Sequence, residues 1–268
     1  QLSRGEAIVL PPKTTSFKHW AMQLTSYARS DTAKKELTYW QGISRTHISR
    51  LPVDNAFDAN TVASTRTVSV SLSPGETRAL LQEVPKAYKT QINDILLTAL
   101  VQVLGKWTGN NSVLLNLEGH GREDIFEDVD LSRTVGWFTT IFPVLLELKA
   151  TDNVGESLKS IKEQLRAVPN RGIGYGLLRY LSGDAEITST LQALPQAEVS
   201  FNYLGQFDWG MQENSLFKLA PESVGSQHSQ LGSRSHLLDI NGFVVESQLQ
   251  LDWTYSENFH KRATIESL

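Results

Sequence analysis

Residues 91–118 read QINDILLTALVQVLGKWTGNNSVLLNLE. Ile92, Leu96, Ala99, Leu100, Val103 and Trp107 fall on one helical stripe, which predicts a helix over about 91–107. A short polar break follows, and then Ser-Val-Leu-Leu-Asn-Leu-Glu predicts a strand over 112–118. A long amphipathic helix running straight into an apolar strand commits the chain to a fold in which helices and strands mix.

The flanking sequence carries the same alternation. VASTRTVSVSL is alternating and β-branched and reads as a strand. SPGE at 73–76 is a capping box with Pro at the first helical position, opening a helix over 74–84. An apolar segment lies around 137–148, and a helix over 153–167 turns Leu158, Ile161 and Leu165 inward. RGIGYGLLRYL reads as a glycine loop entering a short helix, and AEVSFNYLG as a strand. LLDINGFVVESQLQLDW reads as a hairpin whose two-residue turn is Asn241-Gly242. ENFHKRATIESL reads as a closing helix. Antiparallel strands among helices predict a mixed α/β sheet covered by helices, not a barrel.

The first sixty residues differ. The Pro pair in VLPPKTTSF forces an extended entry. Ser16 then caps a helix carrying Phe17, Trp20, Ala21, Leu24 and Tyr27, and Asp31 starts a second through TAKKELTYW. The loop RLPVDNAFDAN follows. Two short helices bury little by themselves, so residues 1–61 read as a connector and 62–268 as the main body.

Composition narrows the function classes. The chain has 268 residues, 40% apolar and 20% charged, enough for one large domain or two small ones. A net charge of −4 with both signs mixed leaves no basic field for nucleic acid. Without cysteine there is no disulfide, thiolate metal site or cysteine nucleophile, which fits a reducing, cytoplasmic setting. No apolar run reaches the roughly 18–20 residues that cross a bilayer, so no membrane partner is expected. QLSRGEAIVLPPK lacks the layout of a signal peptide, and its abrupt start without Met reads as part of a longer chain.

The chemistry-bearing candidates cluster at LEGHGRED, residues 117–124. With period two, Ser112, Leu114, Asn116 and Glu118 share one face of the strand, and Val113, Leu115 and Leu117 share the other. The second face is core, while the first turns polar toward Glu118. A carboxylate at a strand end beside a glycine turn suits chemistry. It equally suits a surface ion pair with Arg122, and the pattern alone favours that plainer role. His120 could be a base or a ligand, but a lone histidine in a turn is usually neither. The six histidines include no pair at metal-ligand spacing, and REDIFEDVD lacks the order of a calcium loop, so no metal site is expected. GIGYG lacks the spacing of a dinucleotide loop, GKWT is no P-loop, and no G-x-S-x-G occurs. Trp137 and Phe138 read as core, and Asn202 and Tyr203 as structural residues that need partners if buried.

Taken together and in order, INDILLTALVQVLG, EGHGRE, RTVGWFT followed by FP, PNRGIGYG and FNYLGQFD resemble the later signature motifs of epimerization domains of nonribosomal peptide synthetases. LPPKTTSFKHW is similar to the segment that joins the two lobes in that family and in its condensation-domain relatives. The resemblance covers residues from about 8 to 253. It implies a lobe like chloramphenicol acetyltransferase, from a two-lobed domain with its active site in the tunnel between the lobes. The His-His motif ending in Asp-Gly, which the family carries in its first lobe, does not occur here. The chain therefore resembles the connector plus the C-terminal lobe, inactive alone.

The resemblance implies inversion, L to D, at the α-carbon of an aminoacyl or peptidyl thioester. The substrate would be held on the phosphopantetheine arm of a peptidyl carrier protein, with no other cofactor. It makes Glu118 one acid–base group, with Asn202, Tyr203 and His120 in support. In a regular strand Asn202 and Tyr203 point to opposite faces, so at most one would reach substrate directly. Arg133, Thr134, Gly136, Trp137 and Phe138 would form part of the tunnel floor. The implied partners are the carrier protein, the N-terminal lobe and neighbouring synthetase modules. Three alternatives stand beside this: an amide-forming condensation domain, a non-catalytic docking platform of the same fold, and an unrelated α/β domain.

Overall fold

The computed structural model describes residues 4–5, 7–45, 48–55, 59–149, 153–207, 222, 225 and 227–268. Helices α1 (Phe17–Ala28), α2 (Asp31–Lys35) and α3 (Leu37–Gly42) come first. Strand β1 (Thr65–Ser71), helices α4 (Pro74–Arg78), α5 (Val84–Tyr88) and α6 (Ile92–Thr108), and strands β2 (Ser112–Gly119) and β3 (Thr140–Glu147) follow. Helices α7 (Val154–Arg166), α8 (Ile173–Leu181) and α9 (Ala185–Gln192) lead to strands β4 (Val199–Gln206), β5 (Leu238–Val245) and β6 (Gln248–Ser256), and α10 (Arg262–Ser267) closes.

The strands form one six-stranded mixed sheet in the order β1-β6-β5-β4-β2-β3. The central strands β2, β4 and β5 run parallel, and every other pairing is antiparallel. Register explains what holds it. Val68, Trp253, Ile240, Phe201, Leu117 and Phe142 line up as paired neighbours across all six strands, and all are buried. Each such side chain contributes about 1.5–3 kcal/mol through the apolar surface it hides. One residue back along the strands, Thr67, Thr254, Asp239, Ser200, Asn116 and Pro143 form the neighbouring row. That row points the other way, so one sheet face is apolar and the other polar.

Helix α6 covers the apolar face. Its buried residues include Leu96, Leu97, Leu100, Val101 and Leu104, while Ala99 is exposed and Val103 half-buried. The buried face is thus rotated from the expected stripe, because α7 packs on α6 as well as the sheet. Leu114 and Leu115 are both buried, so the two faces of β2 are hidden there. The capping box at Ser73 and Glu76 forms as expected. The helix it opens continues to Tyr88 through a π-turn over Ala79–Glu83, in which the Val84 N–H reaches the Ala79 carbonyl. Pro85 brings no N–H and would crowd a regular turn, so the wider turn lets the helix pass it.

The expected hairpin forms, but its turn lies elsewhere. Asn241 and Gly242 sit inside β5, paired with Asp252 and Leu251. The turn is Glu246-Ser247, at φ 50° and 60°. Leu238, Ile240 and Val244 keep a continuous buried alternation that a turn at Asn241-Gly242 would interrupt. Gly242 serves close packing instead: a Cβ there would lie 3.0 Å from Leu251 and 3.4 Å from Tyr203.

The N-terminal helices dock on this body. Ser16 accepts the His19 N–H at 3.1 Å and starts α1. Trp20 packs with Leu131, Phe138, Ile173 and Leu177 in a second small core, whereas Ala33, Trp40, Ile43 and Leu51 enter the main one. Helix α9 is not among the elements expected from sequence. Asp208 of FNYLGQFD, His47, and residues 56–58 of the loop after α3 lie outside the described residues.

Candidate active site

Glu118 is the penultimate residue of strand β2, at the C-terminal edge of the parallel strands, where crevices of α/β sheets receive ligands. It lines a cleft of about 620 Å³. Its lining includes the polar Glu118, His120, Glu123, Arg171 and Asn202 and the apolar Leu97, Leu117, Phe142 and Phe201. The Glu118 side chain is exposed to this open cleft. Asn202, on the adjacent strand β4, donates its Nδ2–H to Glu118 Oε2 at 2.8 Å. Surrounding protein mass raises the Glu118 pKa above the ordinary carboxylate range, and the charge of Asp239 raises it further, against an opposing effect of His236.

The local backbone explains the placement. Gly121 turns the chain at φ 67°, where a Cβ would fall 1.6 Å from the Phe138 carbonyl oxygen. Arg122 does not pair with Glu118. Its guanidinium donates to the carbonyls of Leu131 and Thr134 at 2.5 and 2.9 Å and lies over the Phe138 ring at 3.9 Å. The alternative of a surface Glu118–Arg122 pair therefore falls away, because Arg122 ties down the loop that follows it.

His120 accepts the Arg122 N–H at Nδ1 and sets Nε2 3.4 Å from Glu123, which also meets Arg171 at 3.6 Å. Burial raises Glu123, with His120 and Arg171 opposing. Asn202 and Tyr203 leave β4 on opposite faces, yet both line the cleft, because the cleft wraps the strand end. The stretch 133–138 lies apart from it: of that loop only Thr139 is a lining residue. Thr134 is buried and bonded to Thr14 and Thr15, Phe138 is core, and Trp137 is 83% exposed.

Beneath Glu118 lies a polar network that sequence patterns did not bring out. Asn116 Nδ2 meets His236 Nε2 at 2.8 Å, and His236 Nδ1 meets Asp239 at 3.1 Å. Asp239 accepts from the Ser200 hydroxyl at 2.6 Å and from the Arg234 guanidinium at 2.7 Å. Burial raises Asp239, but hydrogen bonds from His236, Ser200 and Arg234 outweigh it and hold the carboxyl at about 2. The i,i+3 spacing of His236 and Asp239 was the one available signal. Among the described residues no group of three or more His, Asp or Glu could hold a metal ion. No described helix is long and apolar enough to cross a membrane.

The model of the condensation domain family matches residues 1–268. The chain belongs to the condensation domain family. It is 49% identical over 270 residues to a linear gramicidin synthase polypeptide of Brevibacillus parabrevis, covering 100% of this chain and 4% of that protein. It is 39% identical over 277 residues to gramicidin S synthase 1 of Brevibacillus brevis, covering 100% of this chain and 25% of that protein. This condensation-family chain also superposes on the crystal structure of the epimerization domain from the third module of tyrocidine synthetase B. The TM-score is 0.89 and the identity 39%, over 100% of this chain and 59% of that one. The chain thus spans a small part of the synthetases it matches and little more than half of that solved domain, and it shares the mixed-sheet fold of the latter.

Proposed function

We propose that this chain is the glutamate-bearing part of an epimerization domain in a nonribosomal peptide synthetase. It would invert the α-carbon of an aminoacyl or peptidyl thioester delivered on the phosphopantetheine arm of a carrier protein. The observation that carries this reading is Glu118 at the cleft, held by Asn202 at 2.8 Å and with its pKa raised above the ordinary carboxylate range. The likeness to a solved epimerization domain supports it.

In this reading the thioester carbonyl accepts charge as the α C–H bond breaks. Glu118 stands on one side of the α-carbon and exchanges a proton with it. A second group, supplied by the N-terminal lobe, serves the opposite face. Removal on one side and return on the other inverts the centre. A raised pKa suits a carboxylate that must both take and return a proton. Asn202 orients the carboxylate, Tyr203 and His120 shape the cleft, and the exposed Arg133, Gly136 and Trp137 face the partner lobe as tunnel floor above the buried Thr134 and Phe138. Residues 1–61 serve as the connector and 62–268 as the C-terminal lobe of the same domain. The carrier protein and neighbouring modules are its partners, in the cytoplasm.

The test uses a synthetase polypeptide that carries this chain with its carrier domain. Loaded with an L-aminoacyl group in deuterated water, it should incorporate deuterium at the α-carbon and yield a mixture of L and D thioesters. Amide formation with a second carrier-bound amine, without α-exchange, would instead favour the condensation reading, which the family model keeps in view.

A further inference from the structure

We propose that the His236–Asp239 pair, tied to strand β2 through Asn116, positions the Glu118 carboxylate and sets its charge state for proton transfer. The inference rests on the reading of Glu118 as an acid–base group and goes beyond it, because it assigns two residues outside the cleft wall.

Three observations carry it. The first is register. Asn116 stands two residues before Glu118 on the same face of β2 and is paired with Ser200 of β4, itself paired with Asp239 of β5. Ser200 in turn stands two residues before Asn202, the donor to Glu118. The network therefore bolts together the two strands whose ends must stay aligned for that hydrogen bond.

The second is hydrogen-bond logic. Asn116 Nδ2 lies 2.8 Å from Nε2 of His236, and Asp239 lies 3.1 Å from its Nδ1. Every polar atom of the ring then has a partner. His236 is 9% exposed and the Arg234 side chain 6%, while the Asp239 side chain is 30% exposed, so solvent reaches the pair from the Asp239 side only in part.

The third is charge. Asp239 and His236 act on Glu118 in opposite directions, and the other ionisable groups at the cleft are Asp94 of α6, His120 and Glu123 after β2, Arg166 of α7, Arg171, and Tyr203 of β4. Arg234 at 2.7 Å and His236 at 3.1 Å both face the Asp239 carboxylate and offset its negative charge below Glu118.

The experiment is the pH profile of α-deuterium exchange in the synthetase polypeptide carrying this chain, for three variants beside the parent. His236→Gln takes from Asp239 one of its two basic partners and leaves Arg234, so the acid limb of the profile should move up by roughly half a pH unit or more. Adding Asp239→Asn to that variant removes the offending charge, and the limb should return to the parental position or pass below it. Asn116→Ala breaks the tie to β2 but keeps His236 and Asp239. It should lower the plateau rate severalfold with the limb unmoved, and this half-buried site gives a reading even if the buried variants do not accumulate. A limb unmoved in His236→Gln, a double variant no closer to the parent than the single, or an undiminished plateau in Asn116→Ala overturns the proposal. Absence of exchange in the parent itself would instead overturn the reading of Glu118.

Discussion

Asn202 Nδ2 donates to Glu118 Oε2 at 2.8 Å across the ends of two neighbouring parallel strands. The contact joins the motifs EGHGRE and FNYLGQFD, 84 residues apart in the chain, at one carboxylate. A donor to a carboxylate favours its charged form. Asn202→Ala should therefore move the acid limb of α-exchange to higher pH and lower the rate about tenfold, the worth of one hydrogen bond to a charged group. Asn202→Asp, which sets a second carboxylate against the first, should move the limb further than Ala does. Rate–pH profiles of the two variants check the order.

A second carboxyl, Glu36, is buried between the N-terminal helices and α8. Its Oε1 accepts from Asn170 at 2.7 Å and Tyr27 at 3.3 Å, whereas Oε2 meets no hydrogen-bond partner among the described residues. Burial raises its pKa, with Asn170 and Tyr27 opposing. The folded chain therefore holds this proton to higher pH than the unfolded chain does. The stabilisation is full below the ordinary glutamate range and is lost as pH rises through the folded value. Glu36→Gln keeps the neutral form at all pH values. It should unfold like the parent near pH 4 and be more stable by about 1–3 kcal/mol at pH 8. Thermal denaturation at the two pH values measures this.

Gly121 should tolerate no side chain. A Cβ would press into the Phe138 carbonyl, and φ 67° is costly for any other residue. Gly121→Ala should destabilise by roughly 1–3 kcal/mol, the usual cost of overpacking. It should also reduce α-exchange by displacing the end of β2. Denaturant unfolding together with the exchange rate checks both parts.

Much of the fold was legible because the strands alternate and the helices carry caps. Ser73 with Glu76, Ser16, and the β2 alternation all act locally, so sequence spacing reports them directly. The Asn241-Gly242 turn was misplaced because a favoured turn pair competes with register, and the buried run Leu238–Ile240–Val244 decided the outcome. The rotated face of α6 depends on α7, which no local pattern encodes. At the site, Glu118 and Asn202 were legible as motif residues, and the structure brings them together. The His236–Asp239 network was not, since its members come from β2, β4, β5 and the approach to β5 and meet only through strand order. Residues 133–138 read as one unit in sequence, yet they divide between core, loop anchor and surface.

The account turns on Glu118 as the proton-carrying group. The most direct measurement is α-deuterium incorporation into the carrier-bound aminoacyl group by the parent and by Glu118→Gln, which keeps size and hydrogen bonding but loses the base. The account predicts that exchange falls by at least about a hundredfold in the variant, the lower range for a general acid–base group, while carrier loading is unchanged. Exchange at the parental rate in Glu118→Gln would contradict it.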